Sequence, residues 1–328
     1  METRLLSKDL KVTAVGLGCM GFSHGYGAPT DEQEAIKAIR AAYDMGYRFF
    51  DTAEIYTGTH PDGSISYNEE LVGKALADVR DDVVIATKFG IASHGDTLKV
   101  DSSPDTIRKS VEGSLKRLGT NHIDLYYQHR IDPSVTPEAV AQVMQELINE
   151  GKITHWGISE ANEDYLRRAN AVCKVTAVQN RYSMMYREYE KLFPVLEELN
   201  VGLVAFSPLA NGLLTGKMAK TKFAKDDLRN KMPQFTEEAY EKNQELIHLL
   251  EEIAKRHKAT PAQISLAWMI NKKPYIVPIP GSRHLNRMKD NLDAANIKMT
   301  KEEVSQIDAI LDEIPMSDVF GGTKTEHK

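Results

Sequence analysis

Short apolar, β-rich runs alternate with amphipathic helical runs along most of the chain. VTAVGLG is followed by a helical pattern over 31–45, YRFFDTA by one over 68–76, DVVIATK by one over 104–118, and HIDLYYQ by one over 137–149. In the first helical run Ile36, Ile39 and Tyr43 recur at spacings of three and four, with Glu32, Glu34 and Lys37 between them. One stripe is therefore apolar and the other solvated, as in a helix that covers a sheet. The alternation continues through KITHWGIS, AVQN, VGLVAFS and YIVPIP, giving about eight strands, the number that closes a parallel barrel. The pattern predicts an α/β fold, a (β/α)8 TIM barrel with an N-terminal β-hairpin and extra helices before the last strand and at the C-terminus. A doubly wound open sheet is the alternative.

Local signals mark the boundaries. Thr30 with Gln33, Thr260 with Gln263, and Thr300 with Glu303 have capping-box spacing, Pro104, Pro137 and Pro261 suit a first helical turn, and Gly119 and Gly151 suit helix ends. Three segments exceed a minimal barrel: RLLSKDLKVTAV, which can fold as a hairpin around Lys8 and Asp9; the polar excursion over 211–234; and two helical runs, rather than one, before YIVPIP. With no internal repeat or low-complexity linker, residues 1–328 are expected to form one domain, with the small, polar end GGTKTEHK (321–328) fraying.

Composition narrows the partners. A net charge of −6, a pI near 6.0 and the lack of a long basic run argue against nucleic acid or an anionic membrane, leaving a small molecule as the default ligand. Cys19 and Cys173 have neither disulfide density nor metal-ligand spacing, which points to a reducing compartment and no metal. The N-terminal residues lack a signal-peptide core, and no apolar run approaches the ~20 residues of a membrane helix. A cytoplasmic protein is expected.

Asp51 lies five residues ahead of Tyr56 in RFFDTAEIY, and Lys88 and His129 end two further strand-like runs. On a parallel barrel these positions share the C-terminal rim, where active sites lie. An ammonium beside a phenol favours the phenolate and lowers its pKa from about 10, a carboxylate keeps the ammonium charged, and an imidazole can orient a substrate oxygen. The set suits protonation of a carbonyl oxygen. Taken singly, each residue is explained as well by a turn cap, a solvated strand end or an ordinary polar contact. A Schiff base on Lys88, as in class I aldolases, is a different carbonyl chemistry, but an Asp that holds the lysine charged suppresses its nucleophilicity.

Hydride chemistry needs a cofactor, and VGLGCMGF has the wrong glycine spacing for a dinucleotide fingerprint. IPGSRHLNRMKDN instead offers a strand end, small residues and a helix start with Arg283, Arg287 and Lys289, a reasonable anion site that reads equally well as a basic solvent-facing helix. AFSPLANGLLTGK, with Ser207, Leu209 and Gly212, lets backbone amides approach a pyrophosphate or simply makes a turn. Ser159 and Gln179 at neighbouring strand ends can hydrogen-bond a carboxamide. Of Tyr26 and Trp156, core packing explains Trp156 better than stacking on a cofactor.

DTAEIY, NEELVGKAL, IATKFG, DLYYQHR, GKITHWGIS, AFSPLANGLLTGK, TPAQISLAW and IPGSRHLNRMKDN, in this order, resemble the aldo-keto reductase superfamily over nearly the whole chain, and most closely a bacterial and plant subgroup of NADPH-dependent members. The resemblance implies a (β/α)8 barrel closed at its bottom by the hairpin and NADPH-dependent reduction of aldehydes or reactive ketones. It makes Tyr56 the general acid, Lys88 and Asp51 its tuning pair, and His129 the group that orients the carbonyl. It also places Ser159 and Gln179 at the nicotinamide amide. Ser207, Leu209, Gly212, Gly281, Ser282, Arg283, Arg287, Asp290 and Asn291 fall around the pyrophosphate and the adenosine 2′-phosphate, with the two arginines favouring NADPH over NADH. The chain departs from the pattern at Glu160, where many members have Asn, at Asp290, where Glu is commoner, and in the longer stretch after Tyr56. A nucleotide-binding regulatory subunit similar to potassium-channel β-subunits is the second reading, ranked below the enzyme because no long N-terminal extension is present.

Overall fold

The computed structural model describes residues 2–94, 97–218, 222–323 and 325. Eight strands pair in parallel with their chain neighbours: β1 (Leu17–Gly18), β2 (Phe49–Asp51), β3 (Val84–Phe89), β4 (Ile123–Gln128), β5 (Ile153–Ser159), β6 (Ala177–Arg181), β7 (Gly202–Phe206) and β8 (Ile276–Pro278). β1 and β8 share no regular ladder. They meet instead where Gly16 N donates to Pro278 O at 3.0 Å, Gly18 N donates to Pro280 O at 3.4 Å, and Gly18 bridges Gly281. A Cβ on Gly18 would stand 2.7 Å from Ile279 O, and one on Gly281 would stand 2.9 Å from Gly18 O. Only glycines allow this approach, so the sheet curls around to meet itself as a barrel and not as an open doubly wound layer.

The period of two along the strands sorts side chains into two cores. Phe49, Ala86, Leu125, Tyr127, Ala177, Val204 and Val277 fill the barrel with Leu6, Leu10 and Val12 from the N-terminal hairpin, while Phe50, Ile85, Tyr126, Val178 and Leu203 face the helices. The hairpin pairs Thr3–Leu5 with Lys11–Thr13 and lies against the start of β7, where a Cβ on Gly202 would meet Leu6 O at 2.5 Å. It thus plugs the N-terminal end, opposite the rim that carries the site. VTAVGLG is split between the two structures, since its first part belongs to the hairpin and only Leu17–Gly18 enters the barrel.

The helices are α1 (Glu32–Met45), α2 (Asn68–Leu76), α3 (Pro104–Leu118), α4 (Pro137–Asn149), α5 (Glu163–Val172), α6 (Phe193–Leu199), α7 (Glu237–Lys242), α8 (Gln244–His257), α9 (Pro261–Lys272), α10 (Leu285–Asp293) and α11 (Lys301–Glu313). Thr260 and Gln263 form the expected capping box, and the Thr300 side chain accepts from Glu303 N. At α1 the cap is Asp31 and not Thr30: its carboxylate accepts from Gln33 N at 2.9 Å and Glu34 N at 3.1 Å, which a hydroxyl one residue earlier cannot match. Among the described residues no helix is long and apolar enough to cross a membrane.

α2 is fixed to the barrel by Glu69, which is 1% exposed. Thr87 Oγ1 donates to its Oε1 and Arg117 Nε to its Oε2, both at 2.6 Å. Arg117→Met would leave a buried carboxylate without its counter-charge, so we expect a loss of about 3 kcal/mol of unfolding free energy by urea titration. A loss below ~1 kcal/mol would mean that the pair behaves like a surface ion pair.

The segment after Tyr56 folds as a hairpin of Thr57–Thr59 with Ile65–Tyr67. The excursion over 211–234 packs onto the loop after β1: Leu228 N donates to Gly25 O at 3.0 Å, Tyr26 bridges Asp227, and Asn211 Nδ2 donates to Tyr26 Oη at 3.0 Å. At the C-terminal end, Phe320 N donates to Gln234 Oε1 at 2.9 Å and Thr325 bridges Leu98, while Lys324 and residues 326–328, part of the segment expected to fray, lie outside the described residues.

Candidate active site

Asp51 and Lys88 end adjacent strands with their side chains at the barrel mouth. Lys88 is 0% exposed, and its Nζ donates to Asp51 Oδ1 at 2.5 Å, Thr52 O at 2.6 Å and Tyr56 Oη at 3.4 Å. Gln179 Nε2, from β6, donates to Asp51 Oδ2 at 2.7 Å, so both carboxylate oxygens are engaged. Burial alone would depress the Lys88 ammonium, but Asp51 and Tyr56 hold it above the ordinary lysine value. Burial lifts the Asp51 carboxyl, and Lys88 and Gln179 pull it back. The ammonium is charged and shared between a carboxylate and a phenol.

Tyr56 is held by its backbone. Its carbonyl accepts from Asn68 N at 3.0 Å and Ser23 Oγ at 2.9 Å. Asn68 Nδ2 donates in turn to Ser23 Oγ at 2.7 Å and Cys19 O at 2.9 Å, and its Oδ1 accepts from Thr52 Oγ1 at 2.7 Å. This buried amide ties the ends of β1 and β2 to the tyrosine loop. The ring stacks on His24 at a centroid distance of 5.9 Å and meets the edge of His129 at 5.7 Å. Burial pushes the phenol above the ordinary tyrosine value, and the opposing pull of Lys88 does not overcome it. The lowered phenol expected from the Lys88 charge is therefore corrected: Lys88 acts in the expected sense, but desolvation is the larger effect. Tyr56 keeps its proton, as a donor must.

His129, 6% exposed, follows β4 and is fixed by its N–H to Phe89 O at 2.9 Å. Arg130 Nη1 donates to His129 O at 2.6 Å and to Ser159 Oγ at 3.1 Å. Phe206, the last residue of β7, has guanidinium carbons 5.9 Å (Arg130) and 5.2 Å (Arg181) from its ring centre. Glu160 adopts a left-handed backbone, φ 57°, and turns its carboxylate back to accept from Arg181 N at 3.2 Å. Trp156 is wholly buried in the helix-facing core.

A second cluster lies beyond β7 and β8. Ser207, Ala210 and Asn211 have positive φ without being glycine, and Gly212 continues the run at φ 105°. The turn is strained, and within it Ala210 N donates to Ser207 O at 3.0 Å and Gly212 N to Leu209 O at 2.9 Å, with Leu209 partly buried. α10 begins without a side-chain cap, after Gly281 and Ser282, whose Oγ accepts from His284 N at 3.0 Å. Arg287 is exposed on the first turn, and its guanidinium has no partner among the described residues. Asp290 is partly buried, and Asn291 lies buried on the inner face. Arg283 turns inward instead: its guanidinium donates to Gly21 O, to Ala28 O at 3.2 Å and to Tyr26 O at 3.2 Å, clasping the loop after β1.

Sequence reading singled out Asp51, Tyr56, Lys88 and His129, and the fold brings them together. It passed over His24, Ser23, Asn68, Arg130, Arg181 and Phe206. DLYYQHR and AVQNRYS place the two arginines at or just beyond strand ends, a signal that reads as an ordinary solvated turn.

The family model for the aldo/keto reductase family matches residues 14–312. A curated relative from Glycine max, a probable aldo-keto reductase 1, is 38% identical over 97% of this chain and 90% of its own length. Among solved structures, a glycerol dehydrogenase from Gluconobacter oxydans matches with TM-score 0.84 at 29% identity over 98% of each chain. A thermostable aldo-keto reductase solved with the inhibitor epalrestat matches with TM-score 0.73 at 29% identity, over 94% of this chain and all of that one.

Proposed function

Because the chain belongs to the aldo/keto reductase family and is an NADP(H)-dependent oxidoreductase of carbonyl compounds, we propose that Tyr56 donates the proton when an aldehyde or reactive ketone is reduced. The observation that carries this reading is the Tyr56 phenol within 3.4 Å of the buried, carboxylate-paired Lys88 ammonium. NADPH, when bound, would supply the hydride that the carbonyl carbon receives. Tyr56 delivers its proton to the oxygen as negative charge develops there, and the nearby Lys88 charge stabilises the phenolate left behind. His129, edge-on to the phenol, shares the oxygen and sets its approach. NADPH oxidation followed with a panel of aldehydes tests the activity directly.

The residues fit the cofactor. Ser159 and Gln179 end neighbouring strands within reach of a carboxamide, the turn that holds the left-handed Ser207, Ala210, Asn211 and Gly212 can receive a pyrophosphate, and the uncapped start of α10 with Arg287 suits a further phosphate. Gly281, Ser282, Asp290 and Asn291 shape that end. Arg287→Ala is expected to reduce the preference for NADPH over NADH by roughly tenfold, the scale of one charge-assisted contact. Arg283→Ala should reduce affinity for both nucleotides by freeing the loop over 21–28, as well as any direct contribution to the preference. Titration of cofactor fluorescence reads both, and an unchanged preference in the two variants would remove these arginines from 2′-phosphate recognition.

A further inference from the structure

Arg181 ends β6 at the barrel mouth and is only 5% exposed, yet its guanidinium makes no hydrogen bond and no ion pair among the described residues. It lies between the rings of Phe206, at 5.2 Å, and Tyr186, at 5.4 Å. The charge of Glu160 acts on it, but that carboxylate accepts from the backbone N–H of Arg181 and makes no ion pair with the guanidinium among the described residues. The chain closes over the group with a glycine: a Cβ on Gly322, whose φ is +90°, would lie 3.2 Å from Arg181 Nη2. A cation this largely buried, with no hydrogen bond or ion pair among the described residues, is costly, and rings alone do not replace the acceptors it lost from water.

A second cation stands beside it. Arg130 faces the same Phe206 ring, and only its Nη1 is engaged, with His129 O and Ser159 Oγ. The two guanidinium charges oppose each other, and that of Arg130 also reaches the Tyr56 phenol. Two like charges held together against one ring, next to the proton donor, are stabilised by an anion between them. A planar guanidinium fork matches the oxygens of a carboxylate or phosphate.

Resting on the carbonyl-reductase reading above, we propose that Arg181, together with Arg130, binds an anionic group on the substrate, so that the preferred substrates are aldehydes or ketones bearing a carboxylate or a phosphate. The Phe206 ring forms the apolar wall of that site, and the Gly321–Gly322 segment its roof.

The test compares kcat/KM for NADPH-dependent reduction of 4-carboxybenzaldehyde, 4-formylphenyl phosphate and neutral 4-methylbenzaldehyde. The wild-type protein should favour at least one anionic aldehyde over the neutral one by roughly tenfold or more, and which of the two leads identifies the source of the charge. Arg181→Gln and Arg130→Gln should each cut that ratio about tenfold, chiefly through KM, whereas a purely structural role would lower both rates alike and leave the ratio intact. Should a variant fail to fold, inhibition of the wild type decides: benzoate should compete with 4-methylbenzaldehyde and benzamide should not. An anionic-to-neutral ratio of one or less in the wild type overturns the proposal. So does an unchanged ratio in both variants, or a loss confined to NADPH affinity, which would assign the arginines to the cofactor. Turnover of the neutral aldehyde without anion preference sinks this site alone, while no turnover of any of the three overturns the reductase reading with it.

Discussion

Tyr56→Phe is expected to lower carbonyl reduction by about 10²- to 10⁴-fold, the range for removal of a positioned acid, while leaving NADPH affinity within roughly twofold. The variant isolates the hydroxyl unusually well. The carbonyl of residue 56 is held by Asn68 N and Ser23 Oγ whatever the side chain, and a phenyl ring keeps the stack on His24 and the edge contact with His129. Only the bond to Lys88 Nζ and the transferable proton disappear. Single-turnover NADPH oxidation, with the cofactor titrated separately, distinguishes loss of chemistry from loss of binding. An undiminished rate over a broad aldehyde panel would refute the assignment.

Lys88→Met is expected to be as damaging to turnover and, unlike the tyrosine change, to weaken the fold. Methionine nearly matches the volume but cannot donate to Asp51, Thr52 O or Tyr56, so the phenolate formed on proton transfer loses its counter-charge and a buried carboxylate loses its partner. We expect a loss of about 3 to 5 kcal/mol of unfolding free energy near neutral pH. The sign of the pH dependence follows from Asp51. Burial already lifts its carboxyl, and the variant removes the ammonium that opposed this, so the folded-state pKa rises further above the unfolded value. A group raised in this way contributes stability below its unfolded pKa and loses it as pH climbs through the folded value. The gap between variant and wild type should therefore narrow on acidification. Lys88→Met combined with Asp51→Asn should recover stability without recovering activity. Urea titrations at several pH values check this, and a pH-independent gap would rule out the unpaired carboxylate as its cause.

The barrel was legible because burial on one or both faces imposes a period on every strand and helix, and eight repetitions of that period leave few closed arrangements. Local competition blurred the ends. At α1 the expected cap is Thr30, and the neighbouring carboxylate of Asp31 takes that place because it reaches two amides. VTAVGLG reads as one strand, yet it serves two structures because the glycines at its end are needed where β1 meets β8. The reacting groups stood out through complementary chemistry at strand ends. Their supports did not, since Asn68 at a helix start looks like an ordinary cap, and only the fold shows it buried behind Tyr56. Arg283 illustrates the same limit: a guanidinium beside an anion site suggests a phosphate, but here its partners are carbonyls 255–262 positions away, which no local pattern announces.

The meeting of Gly18 with Gly281 also bears on how the protein is made. The first strand of the ring leaves the ribosome long before its partner, so the nascent protein carries two unpaired sheet edges until residues 276–281 emerge. Those edges can template pairing between chains. Contacts this distant in sequence also slow folding, which lengthens the exposure. Premature termination before Ile276 should thus yield an aggregating product rather than a smaller soluble one. The burden on chaperones should fall late in synthesis, after most of the barrel wall has already been translated.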